Sequence, residues 1–339
     1  MSECISRVFS PVDTRELWPD NIKVKKRSSP TVAALPWPYA PFGIDRDPLE
    51  FSLLAKTIRV GNRHIETYLR DDANLDRATV FLHGIDMDWS SWTPMLRAAR
   101  ELGYDTASWV FLDLPGFGRS SNLEKTDTLE SIGKLLAAVF DKVGIHRPRI
   151  VGHSMGGFLL LDMISRNPAL AAHAAIFCGA YATVVNIVNH PLAMIVKKPC
   201  AAGVFVPQMI LAYLNVRPIT TLPRFLRPVL NLLLWPLFMK PKALDYSVVE
   251  TIFTGFRSDS FRIAKSTGWH YNVEDVWRII STPTTAVFGK FDRMVDGDDR
   301  QSFSQCVPSA AVESFEASGH FPIVEEPHRA ASLIAALPG

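Results

Sequence analysis

A serine set between two glycines, in the run Val151-Gly152-His153-Ser154-Met155-Gly156-Gly157, is the feature of this chain best suited to covalent chemistry. A serine hydroxyl attacks poorly unless it is held exposed beside a base. A sharp strand-to-helix turn meets the first need by projecting the side chain away from the backbone. Gly152 and Gly156 stand two positions to either side of Ser154, where larger side chains would collide across such a turn. The pattern is short, so the elements around it must carry the assignment.

Arg149-Ile150-Val151 reads as the end of a buried strand, and Phe158 to Ile164 continues as a helix ended by Asn167-Pro168. Upstream, Thr79-Val80-Phe81-Leu82 is another short apolar strand, running straight into His83-Gly84-Ile85-Asp86. On these motifs the chain resembles the α/β-hydrolase superfamily, in particular its capped esterase and lipase-like members. The resemblance implies an α/β-hydrolase fold, with a mostly parallel central sheet flanked by helices and a helical cap inserted into it. It also implies an oxyanion hole made by the backbone N–H groups of Ile85 and Met155, which would stabilise the charge developing on a tetrahedral intermediate. His83, Gly84, Gly152 and Gly156 would support the two loops that carry those donors.

In this superfamily the order along the chain is Ser, then Asp or Glu, then His, and the C-terminal third matches it. Thr284 to Phe288 reads as a strand leading into Gly289-Lys290-Phe291-Asp292-Arg293-Met294-Val295, which resembles the acid loop and puts Asp292 in the acid position. Ala311 to Phe315 reads as the last strand and leads to Ser318-Gly319-His320-Phe321-Pro322, with His320 in the place of the base and a final helix from about Pro327 to Leu337. His320 would take the Ser154 proton and return it to the leaving group, while Asp292 fixes the tautomer. Other histidines fit less well: His153 belongs to the elbow, His83 to the oxyanion loop, and the rest to no comparable motif. Asp296, Asp298 and Asp299 compete with Asp292 on the same loop. An acid one strand earlier is ruled out, because Ala180-Tyr181-Ala182-Thr183 holds no carboxylate. The loop Asp113-Leu114-Pro115-Gly116-Phe117-Gly118 reads as structural, without a catalytic role.

At 339 residues, 47% apolar and with a net charge of +2, the chain has the composition of a globular enzyme and no basic stripe for nucleic acid. Cys4, Cys178, Cys200 and Cys306 are scattered without metal or disulfide spacing, so neither a metal nor another cofactor is expected. Glu3 and Arg7 interrupt the N-terminus, which has no apolar core segment, and there is no N-x-[ST] sequon. These features predict a cytoplasmic protein.

Residues 1–55 hold Lys23-Val24-Lys25-Lys26-Arg27 and several prolines and are expected to form an N-terminal arm, with Trp37, Tyr39 and Phe42 favouring a packed one. A hairpin around Gly61-Asn62 opens the core. The resemblance covers residues 56–182 and 281–339, and residues 183–280 stand where the superfamily inserts its cap. In that segment Pro199 to Val216 carries no charge and Pro228 to Met239 is almost wholly apolar. Both runs are short or broken for a membrane span and read as cap helices, which implies a greasy pocket. Basic residues flanking them suit peripheral contact with an anionic membrane or an acidic substrate group, or simply a solvated face. The chain is thus expected to be a serine hydrolase cleaving a hydrophobic carboxylic ester through an acyl-enzyme. Acyl transfer or cleavage of a thioester, lactone or carbon–carbon bond would use the same residues, and a ligand-binding protein on this fold is the reading from another class.

Overall fold

The computed structural model describes residues 37–179, 181–217, 219–295 and 297–338, so the expected arm lies outside the described residues as far as residue 36. Eight strands, β1 (Leu54–Val60), β2 (Arg63–Leu69), β3 (Thr79–Leu82), β4 (Trp109–Leu112), β5 (Arg149–His153), β6 (His173–Phe177), β7 (Thr284–Gly289) and β8 (Ala311–Phe315), form one sheet in the order β1-β2-β4-β3-β5-β6-β7-β8. The β1–β2 and β2–β4 pairs are antiparallel and all others parallel. Strands β3, β4, β6 and β7 are buried at every residue. Continuous apolar runs such as Thr79-Val80-Phe81-Leu82 suit that position, since parallel strands are covered by helices on both faces. β1 begins at Leu54, ahead of the boundary expected at residue 55, and the hairpin turns at Gly61-Asn62, where Gly61 has φ +60°.

The covering helices are α1 (Thr93–Glu101), α2 (Leu129–Val143) and α3 (Met155–Arg166). In α2, Thr128 and Ser131 form a reciprocal capping box, and Gly144 at φ 82° ends the helix in the left-handed region. Between β6 and β7 lies a helical insertion: α4 (Ala182–Asn189), α5 (Pro191–Lys197), α6 (Pro199–Tyr213), α7 (Arg227–Leu233), α8 (Tyr246–Thr254), α9 (Ser258–Ser266) and α10 (Val273–Trp277). The C-terminal part adds α11 (Gly297–Cys306), α12 (Pro322–Glu325) and α13 (Pro327–Ala335), and α13 packs on α1. The apolar run 228–239 is not one helix. α7 ends at Leu233, and the residues after it turn back so that the Leu237 carbonyl accepts the His320 N–H at 2.6 Å. Among the described residues, no helix is long and apolar enough to cross a membrane.

This topology fixes the place of any site. The chain runs from β3 to one side, to β4, and then to the other, to β5, so winding reverses between β3 and β5. Leu82 pairs with Gly152 at their carboxyl ends. The loops leaving the two strands therefore diverge around a crevice, where open α/β sheets bind ligands. Phe81 anchors the sheet beneath it, stacked on Phe111 at 4.6 Å with Trp92 and Trp109 at 5.1 Å.

Candidate active site

Ser154 occupies the junction of β5 and α3 with φ 50° and ψ −115°, a conformation costing a non-glycine residue about 1–3 kcal/mol. Close backbone contact holds it there. A Cβ on Gly156 would sit 2.2 Å from the Leu82 carbonyl oxygen, and one on Gly152 would sit 2.6 Å from that of Gly156. Only glycines let the start of α3 press against the end of β3, and that pressure throws the Ser154 side chain outward.

The structure brings Ser154, His320 and Asp292 into one hydrogen-bonded row. His320 Nε2 is 3.0 Å from Ser154 Oγ, and its Nδ1 is 2.8 Å from Asp292 Oδ2. The other Asp292 oxygen, Oδ1, accepts from the Met294 and Val295 N–H groups at 2.8 and 3.0 Å, which fixes the carboxyl plane. All three side chains are buried. Besides its bond to Leu237, the His320 main chain accepts from His153 Nε2 at 2.8 Å. The rival acids point elsewhere: Asp298 pairs with Lys198, Asp299 Oδ1 accepts from the Thr183 N–H, and Asp296 lies outside the described residues.

Met155 is the first residue of α3, so its N–H has no partner within the helix and stands at the positive end of the helix dipole. The Ile85 N–H lies on the loop after β3. His83 steadies that loop: its Nε2 accepts from the Leu114 N–H at 2.9 Å, so the proton sits on Nδ1, which donates to the Gly84 carbonyl at 2.7 Å. Burial pushes the His83 imidazole down to about 4, which keeps this neutral tautomer.

Two cavities meet at Ser154. One is lined by Ile85, Met155 and Phe158 with Val184, Val188, Phe205 and Phe261 of the insertion. The other takes in His320, Asp86, Gln208, Leu237, Ile252 and Met294. The first is almost wholly apolar, whereas the second carries the polar groups and the imidazole.

Residues 79–333 match the family model described as the alpha/beta hydrolase family. The chain belongs to this family. Among curated relatives, the hydrolase is 26% identical over 273 residues to the biotin biosynthesis bifunctional protein BioHC of Teredinibacter turnerae, covering 75% of this chain and 43% of that one. It is 22% identical over 263 residues to a 2-hydroxy-6-oxononadienedioate/2-hydroxy-6-oxononatrienedioate hydrolase of a Pseudomonas species, covering 75% and 85%. The chain spans less than half the length of the first curated relatives it matches. Among solved structures, a membrane phospholipase A described as a bacterial virulence factor superposes with a TM-score of 0.62 at 21% identity, covering 84% of this chain and 86% of that one. Naproxen esterase of Bacillus subtilis gives 0.63 at 18%, covering 85% and 93%. At these identities the structural likeness is one of fold.

Three buried groups of the hydrolase had no signal in the sequence. Glu325, on α12, accepts at Oε1 from the Tyr39 hydroxyl and the Met239 N–H, both at 2.7 Å, and at Oε2 from the Gly319 and Phe321 N–H groups at 2.7 and 3.3 Å. Burial pushes its carboxyl up to about 8 against the pull of those donors. Cys178, after β6, hydrogen-bonds the Gly319 carbonyl at 3.6 Å. With Asp292 and His320 it forms a buried cluster whose ligand atoms lie within 4.8 Å of one another, the spacing of a metal site. Asp292 and His320, however, already bond through Oδ2 and Nδ1, and burial pushes the Cys178 thiol well up, away from the thiolate a metal would need.

Asp86, one residue past Ile85, is the third. Its Oδ1 accepts only a 3.4 Å bond from the Arg257 N–H, and its Oδ2 has no partner among the described residues. Asp113, by contrast, accepts from the Tyr68 hydroxyl and the Trp89 and Arg119 N–H groups. Burial pushes the Asp86 carboxyl up to about 8, only weakly opposed by Arg257. The unfolded chain releases this proton near pH 4 and the folded one near pH 8, so folding is progressively less favourable as pH rises between them, by at most about 1.4 kcal/mol per unit. Asp86→Asn should flatten that slope. Urea midpoints measured from pH 5 to pH 8 check it, and parallel slopes for variant and parent would count against Asp86.

Proposed function

We propose that this hydrolase cleaves a carboxylic ester with an apolar acyl group, through an acyl-enzyme on Ser154. The row Asp292–His320–Ser154 at the mouth of the two cavities carries the reading. His320 Nε2 takes the Ser154 proton as Oγ attacks the ester carbon, and the N–H groups of Ile85 and Met155 receive the oxyanion. On collapse the alcohol leaves with the proton that His320 returns. Water then attacks the acyl group, again with His320 as base. Because His320 must reach the leaving oxygen, the alcohol belongs in the cavity that holds His320, Asp86 and Gln208. The acyl chain then belongs in the apolar cavity.

Each acyl methylene buried there contributes about 0.8 kcal/mol, roughly a fourfold gain. Accordingly, kcat/KM on p-nitrophenyl esters should climb from acetyl upwards and level off once the cavity is full. Ser154 labelled by a fluorophosphonate but no ester hydrolysed would move the reading to a thioester, lactone or carbon–carbon bond. Neither labelling nor turnover would leave a ligand-binding protein. Lys265 favours a second reading of the acyl group. It lines the apolar cavity with its ammonium over the Trp269 ring at 5.4 Å, and it forms no ion pair among the described residues. A carboxylate at the far end of the acyl chain would complete that pair, and the dioate named in the Pseudomonas relative has this character. Faster cleavage of p-nitrophenyl hemiesters of dicarboxylic acids than of equal-length monoesters would support it.

A further inference from the structure

We infer that the helical insertion docks on an anionic lipid surface, with α6 as the wall between the bilayer and the cavities at Ser154. Of the nineteen large apolar side chains exposed among the described residues, fifteen lie between Leu192 and Trp235. Val196, Tyr213 and Phe225 are at least 80% exposed. Soluble chains scatter such side chains singly, and a concentration of them marks a surface meant for apolar contact.

The helix α6 shows what kind of contact. From Pro199 to Val216 the sequence holds no charge. Val204, Phe205 and Gln208 line the cavities at Ser154, while Ile210, Leu211 and Tyr213 on the same helix are exposed. A helix apolar on all sides needs apolar surroundings on all sides. At fifteen residues α6 is too short to span a bilayer, so it would lie on one.

Charge selects the occupant. Between Asp162 and Asp245 the chain has no Asp or Glu and eight Lys or Arg, although the whole chain carries only +2. Lys197, Arg217, Arg224, Lys240 and Lys242 are exposed on the same stretch of chain, within or just after the run that holds the exposed apolar side chains. A second copy applied to this face would set like charge against like. An anionic bilayer accepts both the apolar side chains and the cations between them. Substrate released from lipid would then meet α6 first. The docking itself does not depend on hydrolysis.

The full chain, as parent and as Ser154→Ala, is sedimented with vesicles of phosphatidylcholine alone or mixed with phosphatidylglycerol. Partition should be at least about tenfold greater onto the anionic vesicles and should weaken with salt. The double variant Val196→Asp/Tyr213→Asp changes two exposed side chains outside both cavities. It should lose at least about tenfold in partition while its circular dichroism and its rate on a water-soluble short-chain ester stay at the parent values. No preference for anionic vesicles, or equal partition by the variant, overturns the docking. A parent that is dimeric by light scattering and a variant that is monomeric also overturns it, assigning the face to a second copy. A parent that partitions onto anionic vesicles but hydrolyses no ester would keep the docking and overturn the ester reading instead.

Discussion

Ser154→Ala should lower kcat/KM on any ester turned over by at least about 10⁴-fold while the urea midpoint moves by less than about 1 kcal/mol in stability. The loss is large because, on the proposed mechanism, Oγ forms the covalent intermediate, and it stands 3.0 Å from the His320 Nε2 that would take its proton. Little stability is at stake. That hydroxyl has no partner besides His320 among the described residues, and alanine inherits the same strained backbone that Gly152 and Gly156 impose. His320→Ala should cost about as much, and the double variant no more than either single one, since the two act as a unit. Residual activity then measures what the proposed Ile85 and Met155 donors and the cavities supply alone. Hydrolysis near the parent rate would instead require another nucleophile.

The parts of the site that end strands were legible in the sequence. Ser154, Asp292 and His320 each follow a short strand, β5, β7 and β8, and a glycine after or at the end of each strand announces a loop at the sheet edge. Hydropathy could not say where the insertion touches the core. The run from Pro228 to Met239 is uniformly apolar, yet α7 stops at Leu233, and the following turn carries the Leu237 carbonyl to the His320 N–H. Nor could it rank buried carboxyls. Asp86, Asp113 and Glu325 look alike as letters, and the number of donors reaching each of them, one long bond, three and four, is set by chain segments far apart in sequence. The split between a polar and an apolar cavity is likewise tertiary, because Phe205 and Gln208 come from one helix and His320 from the far end of the chain.

Glu325→Ala should destabilise the hydrolase by about 3–5 kcal/mol and slow it as well. One carboxyl group joins three segments: Tyr39, Met239 after the insertion's turn, and the loop in which Gly319 and Phe321 flank His320. The Tyr39 hydroxyl donates to Glu325 while its oxygen accepts from the Lys240 N–H at 3.0 Å, so it links the carboxyl to the start of the next turn. Removing the carboxyl strands three main-chain N–H groups and a phenol where burial keeps water out, each at about 1–3 kcal/mol. Glutamine does not repair this. Oε1 and Oε2 each receive two donors, so whichever way the amide is turned its NH₂ faces a main-chain N–H. Urea midpoints should therefore fall for both variants. Kinetics separate a clamp from bulk stability: freeing Gly319 and Phe321 lets the His320 ring drift from Ser154, so kcat should drop by about 10–100-fold at a temperature where the variant is still folded. KM, set by cavities that Glu325 does not line, should hold. A variant that loses stability but keeps the parent kcat would make Glu325 a support of the fold without a part in positioning the base.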